Sequence, residues 1–282
     1  MLLYIRSYGQ MCNRLWSLLP PVSLAIEREE KLHIVFNNET DLRDFPALGS
    51  SKNIHVVSRF DPRRLSSFLY RLLAPLDIKT DMGEAVLSPH KIYVINSWKH
   101  ICDKAYIQNH KQALLSIFSF KTEVIEKVKK SLHEYEGITI GVHIRRGDYK
   151  QWREGLYYYE NITYENAMLS IASQVKANGK KCRFVVCSNE PFNVKLSGID
   201  IIQIPNASGM DDLCALSQCD YIIGPPSSFS QWASFYGDVP LRFLLDANEK
   251  VDLSEFSPII GMNAFQNGKR LIDVDGVRFR LQ

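Results

Sequence analysis

An α/β protein built as two Rossmann-like lobes is the fold this sequence predicts, and three features carry that prediction. The chain opens with strand, turn, helix and strand over residues 2–36. A second strand-and-helix series starts at the apolar run 138–144 and continues to residue 245. A helical stretch separates the two, and the lobe boundary is placed there, giving lobes of residues 1–130 and 131–282. Strands that alternate with helices in this way build parallel sheets.

The 282 residues can bury a sizeable core as one large domain or as two lobes. Apolar content of 45% and charged content of 23% are ordinary for a soluble globular protein. A net charge of +3 on scattered basic residues lacks the electrostatic footprint that DNA or RNA binding needs, and it suits a small anionic ligand better. The six cysteines form no C-x-x-C pair and no zinc-ligand spacing; they read as buried thiols of a reducing compartment. The opening MLLYIRSYGQ lacks a basic segment followed by a long apolar core, and no run approaches the roughly 20 apolar residues of a membrane span. The sequons at Asn38, Asn161 and Asn206 read as chance matches, and a cytoplasmic location is expected.

Residues 2–5 form the first strand, ending in a turn that contains Gly9, Asn13 and Arg14. An apolar helix follows to Ile26, and Pro20-Pro21 should kink or restart it. Asn13 is placed to cap that helix. One glycine in the turn falls short of the G-x-G-x-x-G dinucleotide fingerprint, so no NAD or FAD site is supported. Residues 31–36, 54–57 and 91–96 read as strands, and 62–76 as a helix with a basic face. Residues 103–118 and 122–135 read as helices, the second with apolar positions at Val124, Ile125, Val128 and Leu132.

The run ITIGV then delivers His143, Arg145, Arg146 and Asp148 to a strand end. Open α/β sheets bind ligands beyond the carboxyl ends of their strands, and the arginine fork matches phosphate oxygens at any working pH. A phosphate-bearing ligand gripped there is the first functional expectation. The aromatic stretch at 150–159 (KQWREGLYYY) reads equally as a wall for sugar rings or as packing under a surface loop. A helix over 163–177, strands over 182–187 and 199–204, and a helix over 210–219 follow. The strand at 221–223 leads into GPPSSFSQW, a hydroxyl-rich strand-to-helix turn with free backbone N–H groups that suits an anion. Residues 241–245 form a further strand, and Asn267-Gly268 and Asp275-Gly276 mark hairpin turns. Asp273-Val274-Asp275 matches a D-x-D metal motif in spacing, but it reads as part of the second turn.

Two anion-competent turns thus end strands of one lobe, with Asp212 between them at a helix start. At these residues the sequence resembles the fucosyltransferase superfamily, most closely the α-1,2-fucosyltransferases of glycosyltransferase family 11. The matching pieces are residues 9–15, HIRRGDY at 143–149, FVVCSNE at 184–190, Asp212 with its following Leu213, and SSFSQWASFYG at 227–237. The resemblance implies a GT-B-like architecture with an acceptor-side N-terminal lobe and the donor site in the C-terminal lobe. It implies a GDP-fucose donor, a carbohydrate acceptor, inverting transfer, and no metal or other cofactor. Family context also implies polysaccharide assembly, with peripheral association at the inner membrane face. Carried over, Arg145 neutralises the departing GDP at its β-phosphate. His143 and Asp212 contact the guanosine, and Ser227, Ser228, Ser230 and Gln231 form the turn that holds the pyrophosphate. Asn13 reaches in from the first lobe, Arg146 supports the site from behind, and Asp148 braces an arginine. Asp148 and Glu154 are also candidates for the general base. Two other readings fit the same residues: a transferase using another nucleotide sugar, and a non-catalytic nucleotide-sugar or carbohydrate-binding protein.

Overall fold

The computed structural model describes residues 1–5, 9–35, 43–56, 71–73, 75, 92–95, 104–259, 265–266, 269–272 and 280–281. The chain divides into two compact units, Met1–Lys121 and Thr122–Gln282. Each carries a parallel sheet covered by helices, so the α/β class expected from the alternating pattern is the one observed.

In the first unit β1 (Leu2–Tyr4), β2 (Leu32–Ile34), β3 (Ile54–Val56) and β4 (Tyr93–Ile95) pair in the order β3-β2-β1-β4. Leu2, Leu32 and Ile54 share one row of the register and are all buried. The helix α1 (Met11–Glu27) does not restart at its prolines and is not capped by Asn13. Pro20 and Pro21 lie inside one continuous helix, although each strips a carbonyl one turn back of its N–H partner. Burial explains it: Leu15 to Ala25 is buried without a break, and tertiary packing rather than propensity holds most protein helices. The N-cap is Gln10, so Asn13 sits in the first turn and does not cap the helix. The helix expected over 103–118 is two, α2 (Lys104–Asn109) and α3 (Lys111–Ile117), separated at His110 by φ −109° and ψ 15°. Most of the helix expected at 62–76 lies outside the described residues, as do Asn38, Cys102, Asn267-Gly268 and the Asp273-Val274-Asp275 turn.

The second unit begins with α4 (Thr122–Leu132), followed by β5 (Ile138–Ile144), α5 (Asn161–Ala177), β6 (Cys182–Ser188) and β7 (Asp200–Ile202). It continues through α6 (Gly209–Leu216), β8 (Tyr221–Gly224), α7 (Ser228–Gly237) and β9 (Leu241–Phe243). The five strands are parallel in the order β7-β6-β5-β8-β9. The short strands β10 (Phe265–Gln266), β11 (Lys269–Ile272) and β12 (Arg280–Leu281) pair antiparallel.

β5 is central, and its pleat sorts its side chains between two layers. Ile140, Val142 and Ile144 join Tyr164, Met168, Ile171 and Val175 of α5 in one buried cluster. Gly141 faces the other layer, where a Cβ would meet Leu216 of α6 at 2.6 Å. The chain runs from β5 outward to β6 and β7, then returns past β5 to β8 and β9. The carboxyl ends of β5 and β8 therefore flank a topological switch point, the crevice where open α/β sheets bind ligands. β1 and β4 flank the equivalent point in the first unit, and the Gly9 turn follows β1.

No disulfide joins the five described cysteines. Burial pushes the Cys214 thiol up to about 11 and the Cys219 thiol up to about 12. Among the described residues no helix is long and apolar enough to cross a membrane.

Candidate functional site

β5 ends in His143 and Ile144, and the charged residues follow in a tight loop. His143 is 5% exposed and its ring stacks on Phe229 of α7, with centroids 5.0 Å apart. Burial first, and the Arg145 charge second, lower its pKa to about 3, so the imidazole is neutral at working pH. Its Nδ1 is buried without a hydrogen-bond partner.

Arg145 donates from Nη2 to Asp148 Oδ1 at 2.8 Å, and its guanidinium lies 5.7 Å from the centre of the Tyr149 ring. Asp148 thus pairs with Arg145, with its own side chain 55% exposed. Arg146 turns the opposite way. It is buried, and its Nη2 donates to Asn161 Oδ1 at the start of α5. Gly147 holds φ +61°, a conformation that favours glycine, and starts a 3-10 turn through Lys150.

The turn after β8 comes up beside this loop. Gly224 is pressed so closely on β5 that a Cβ there would lie 2.4 Å from the His143 carbonyl oxygen. The Tyr149 hydroxyl donates to the Pro226 carbonyl at 2.7 Å, joining the two turns. Ser227 caps α7, its Oγ accepting from the Phe229 N–H at 3.2 Å. Ser228 is half-buried at the first helical position. Ser230 is fully buried, and its hydroxyl donates to the Ser227 carbonyl, which commits it to the turn itself. Gln231 is buried with Oε1 unpartnered.

Asp212 lies in the first turns of α6, behind the Ser208–Asp211 capping box. Burial, the largest influence, raises its pKa to about 6 against a lowering hydrogen bond from Cys187. It lines a groove of about 290 Å³ at the end of β6, together with Ser188, Asn189, Glu190, Gln203 and Ala207. The structure therefore gathers His143, Arg145, Asp148 and the Ser227–Gln231 turn at one switch point. Asp212 stands at the groove beyond β6.

In the first unit Gly9 has φ +76°, and a Cβ on it would stand 2.4 Å from Asn13 Nδ2. Arg14 Nη1 donates to the Gly9 carbonyl at 2.8 Å. Asn13 and Arg14 thus fold back over the glycine at the end of β1.

The aromatic stretch divides. Tyr157 and Tyr159 are core residues, and the Tyr159 hydroxyl donates to the Leu244 carbonyl at 3.0 Å. Packing is the correct reading for both. Trp152 is half-buried against Tyr149 and Tyr157, with centroids 4.7 and 5.8 Å away. Glu154 is exposed at φ +58°, beside Arg153 at φ +50°.

Three participants were missed from sequence. Phe229 backs the histidine, and Asn189 and Glu190 accept hydrogen bonds from the Arg145 loop. The available signal was Ser188-Asn189-Glu190, polar side chains clustered at the end of an apolar strand. Among the described residues no cluster of three or more His, Cys, Asp or Glu could hold a metal ion.

The model of Glycosyl transferase family 11 matches residues 91–238, just over half of the chain. Among solved structures, fucosyltransferase NodZ from Bradyrhizobium aligns with a TM-score of 0.53 at 17% identity, over 85% of this chain and 94% of its own. NodZ α-1,6-fucosyltransferase soaked with GDP-fucose gives 0.52 at 17%, over 90% and 95%. POFUT1 in complex with GDP-fucose gives 0.54 at 10%, over 86% and 97%. At those identities the likeness is one of fold. No curated protein matches the chain.

Proposed function

The chain belongs to glycosyl transferase family 11, and from that premise we propose that it transfers fucose from GDP-fucose to a hydroxyl of an oligosaccharide or polysaccharide, in an α-1,2 linkage with inversion. The observation that carries the donor side is Arg145, braced by Asp148 at the switch point beside the start of α7. Arg145 and the first N–H groups of α7 take the pyrophosphate, and Ser227 and Ser228 shape that cradle. Ser230 and Gln231 stiffen and line it. His143 and Asp212 meet the guanosine, and Arg146 supports the loop from within. Asn13, in the acceptor-side unit, is a substrate-binding residue.

In the reaction the acceptor oxygen attacks C1 of fucose from the face opposite the phosphate. The bond from C1 to the β-phosphate oxygen breaks, its electron pair leaves with GDP, and the acceptor proton passes to a base. Charge builds on the departing phosphate, where a positioned guanidinium lowers the barrier; one lost donor of this kind costs about 3 to 4 kcal/mol. The α-1,2 linkage rests on the run of motifs from residue 143 to 237.

A donor screen tests the proposal. GDP-fucose should raise the melting temperature and turn over, while UDP-sugars should do neither. Product linkage is then read by NMR. Stabilisation by a UDP-sugar alone, or turnover abolished by EDTA, would overturn the donor reading. An α-1,6-linked product would overturn the linkage.

A further inference from the structure

Arg145 is braced by Asp148 and Tyr149 of its own loop, and side chains tie that loop to its surroundings, Tyr149 to the Pro226 carbonyl and Arg146 to Asn161. Two bonds hold the backbone directly after the arginine. The N–H of Arg146 donates to Asn189 Oδ1 at 2.8 Å, and the N–H of Gly147 donates to Glu190 Oε1 at 3.0 Å. These are the two peptide groups that follow Arg145, and both acceptors come from the end of β6. The neighbouring geometry is close: a Cβ on Gly147 would lie 3.1 Å from Asn189 Nδ2. The clamp is itself tied down, because the Glu190 N–H donates to Ser188 Oγ at 3.2 Å. Asn189 and Glu190 also wall the groove that contains Asp212. An occupant of that groove therefore rests against the residues that hold the arginine loop.

We propose that Asn189 and Glu190 are positioning residues that hold Arg145 on the leaving phosphate and make its placement depend on a nucleoside in the adjoining groove. The inference rests on the donor reading above for the identity of that nucleoside. They act through hydrogen-bond acceptance at the loop backbone, not through contact with the reacting atoms. Misplacing a catalytic group by about 1 Å can cost about 100-fold in rate.

Two measurements test this on the full chain. The first needs no donor: amide exchange at Arg146 and Gly147, read by NMR, in the parent, Asn189→Ala and Glu190→Ala. Loss of an acceptor should speed exchange at the matching amide about tenfold or more, with the amides of β5 unchanged. GDP should slow both amides in the parent and do so less in the variants. Unchanged exchange would overturn the clamp whatever the donor proves to be. The second is kinetic. Each alanine variant should lose about 10- to 100-fold in kcat with donor KM within about threefold, while Glu190→Gln, which keeps the oxygen acceptor, recovers most of the rate. A loss confined to KM, or a glutamine variant as slow as the alanine, would overturn a positioning role. A parent enzyme that ignores GDP-fucose would defeat the donor reading, and the exchange result would still decide the clamp.

Discussion

His143 and Arg145 stand two residues apart, and burial governs the charge of the first. The imidazole is held neutral, its pKa lowered to about 3 first by desolvation and then by the arginine. Arg145 pairs with Asp148 at 2.8 Å. Arg145→Lys retains the charge and loses the fork, so turnover with GDP-fucose should fall about 100-fold or more. A near-normal rate would remove the assigned role. Asp212 gives a pH signature. Its pKa is raised from 3.8 to about 6, chiefly by burial, so the fold favours the protonated form. Its contribution to stability is full below pH 3.8 and is lost as pH rises through about 6. The melting temperature of Asp212→Asn relative to the parent should therefore climb between pH 4 and 7. Guanosine recognition has the opposite sense, since only the ionised carboxylate accepts from two base N–H groups. GDP affinity measured by calorimetry should drop by up to about tenfold per unit below pH 6, and Asp212→Asn should flatten that slope. A flat parent profile would rule out the contact. The arginines were legible in sequence because they end an apolar run. The altered chemistry of Asp212 was not, because it comes from tertiary burial of the first turns of α6, which the hydrogen bond from Cys187 only partly offsets.

Among the elements, β5 could be read almost to the residue, since a strand buried on both faces is a continuous apolar run. The helix α1 could not. Two adjacent prolines break the local rule, and only the surrounding core explains why the helix runs on. The 150–159 stretch was ambiguous for a related reason: tyrosine composition is the same whether the ring meets a sugar or the core. A close approach between elements lies where β8 ends, and it yields a sharp test. Gly224→Ala puts a methyl 2.4 Å from the His143 carbonyl and 3.0 Å from its Cβ, so strand ends or turn must shift. Denaturant unfolding should show a loss of about 1 to 3 kcal/mol, with reduced GDP affinity accompanying it. An unchanged midpoint would mean that the two strand ends are less tightly joined than described.

At the scale of the molecule the decisive fact is the strand order. The Arg145 loop and the Ser227–Gln231 turn are far apart in sequence and meet because the sheet reverses direction between β5 and β8. The sequence displayed the repeating strands and helices but not that order, because uniformly apolar parallel strands carry little information about their neighbours. Two units also predict two events on heating. Calorimetry should resolve separate transitions, and GDP at about 100 times its Kd should stabilise the C-terminal unit by about 2.7 kcal/mol. A shift confined to the N-terminal unit would place the nucleotide on the wrong sheet.

Burial of the thiols has a consequence for handling and for survival under oxidative stress. Cys187, Cys214 and Cys219 are buried, and each is shifted well above the range in which a thiolate forms. Peroxide and alkylating reagents attack the thiolate, so these three thiols should ignore both while the C-terminal unit is folded, whereas Cys182 is half-buried. Once that unit opens, all three sulfurs become reactive together. Their uptake of iodoacetamide is then a clock for unfolding, wired into the protein without any added label.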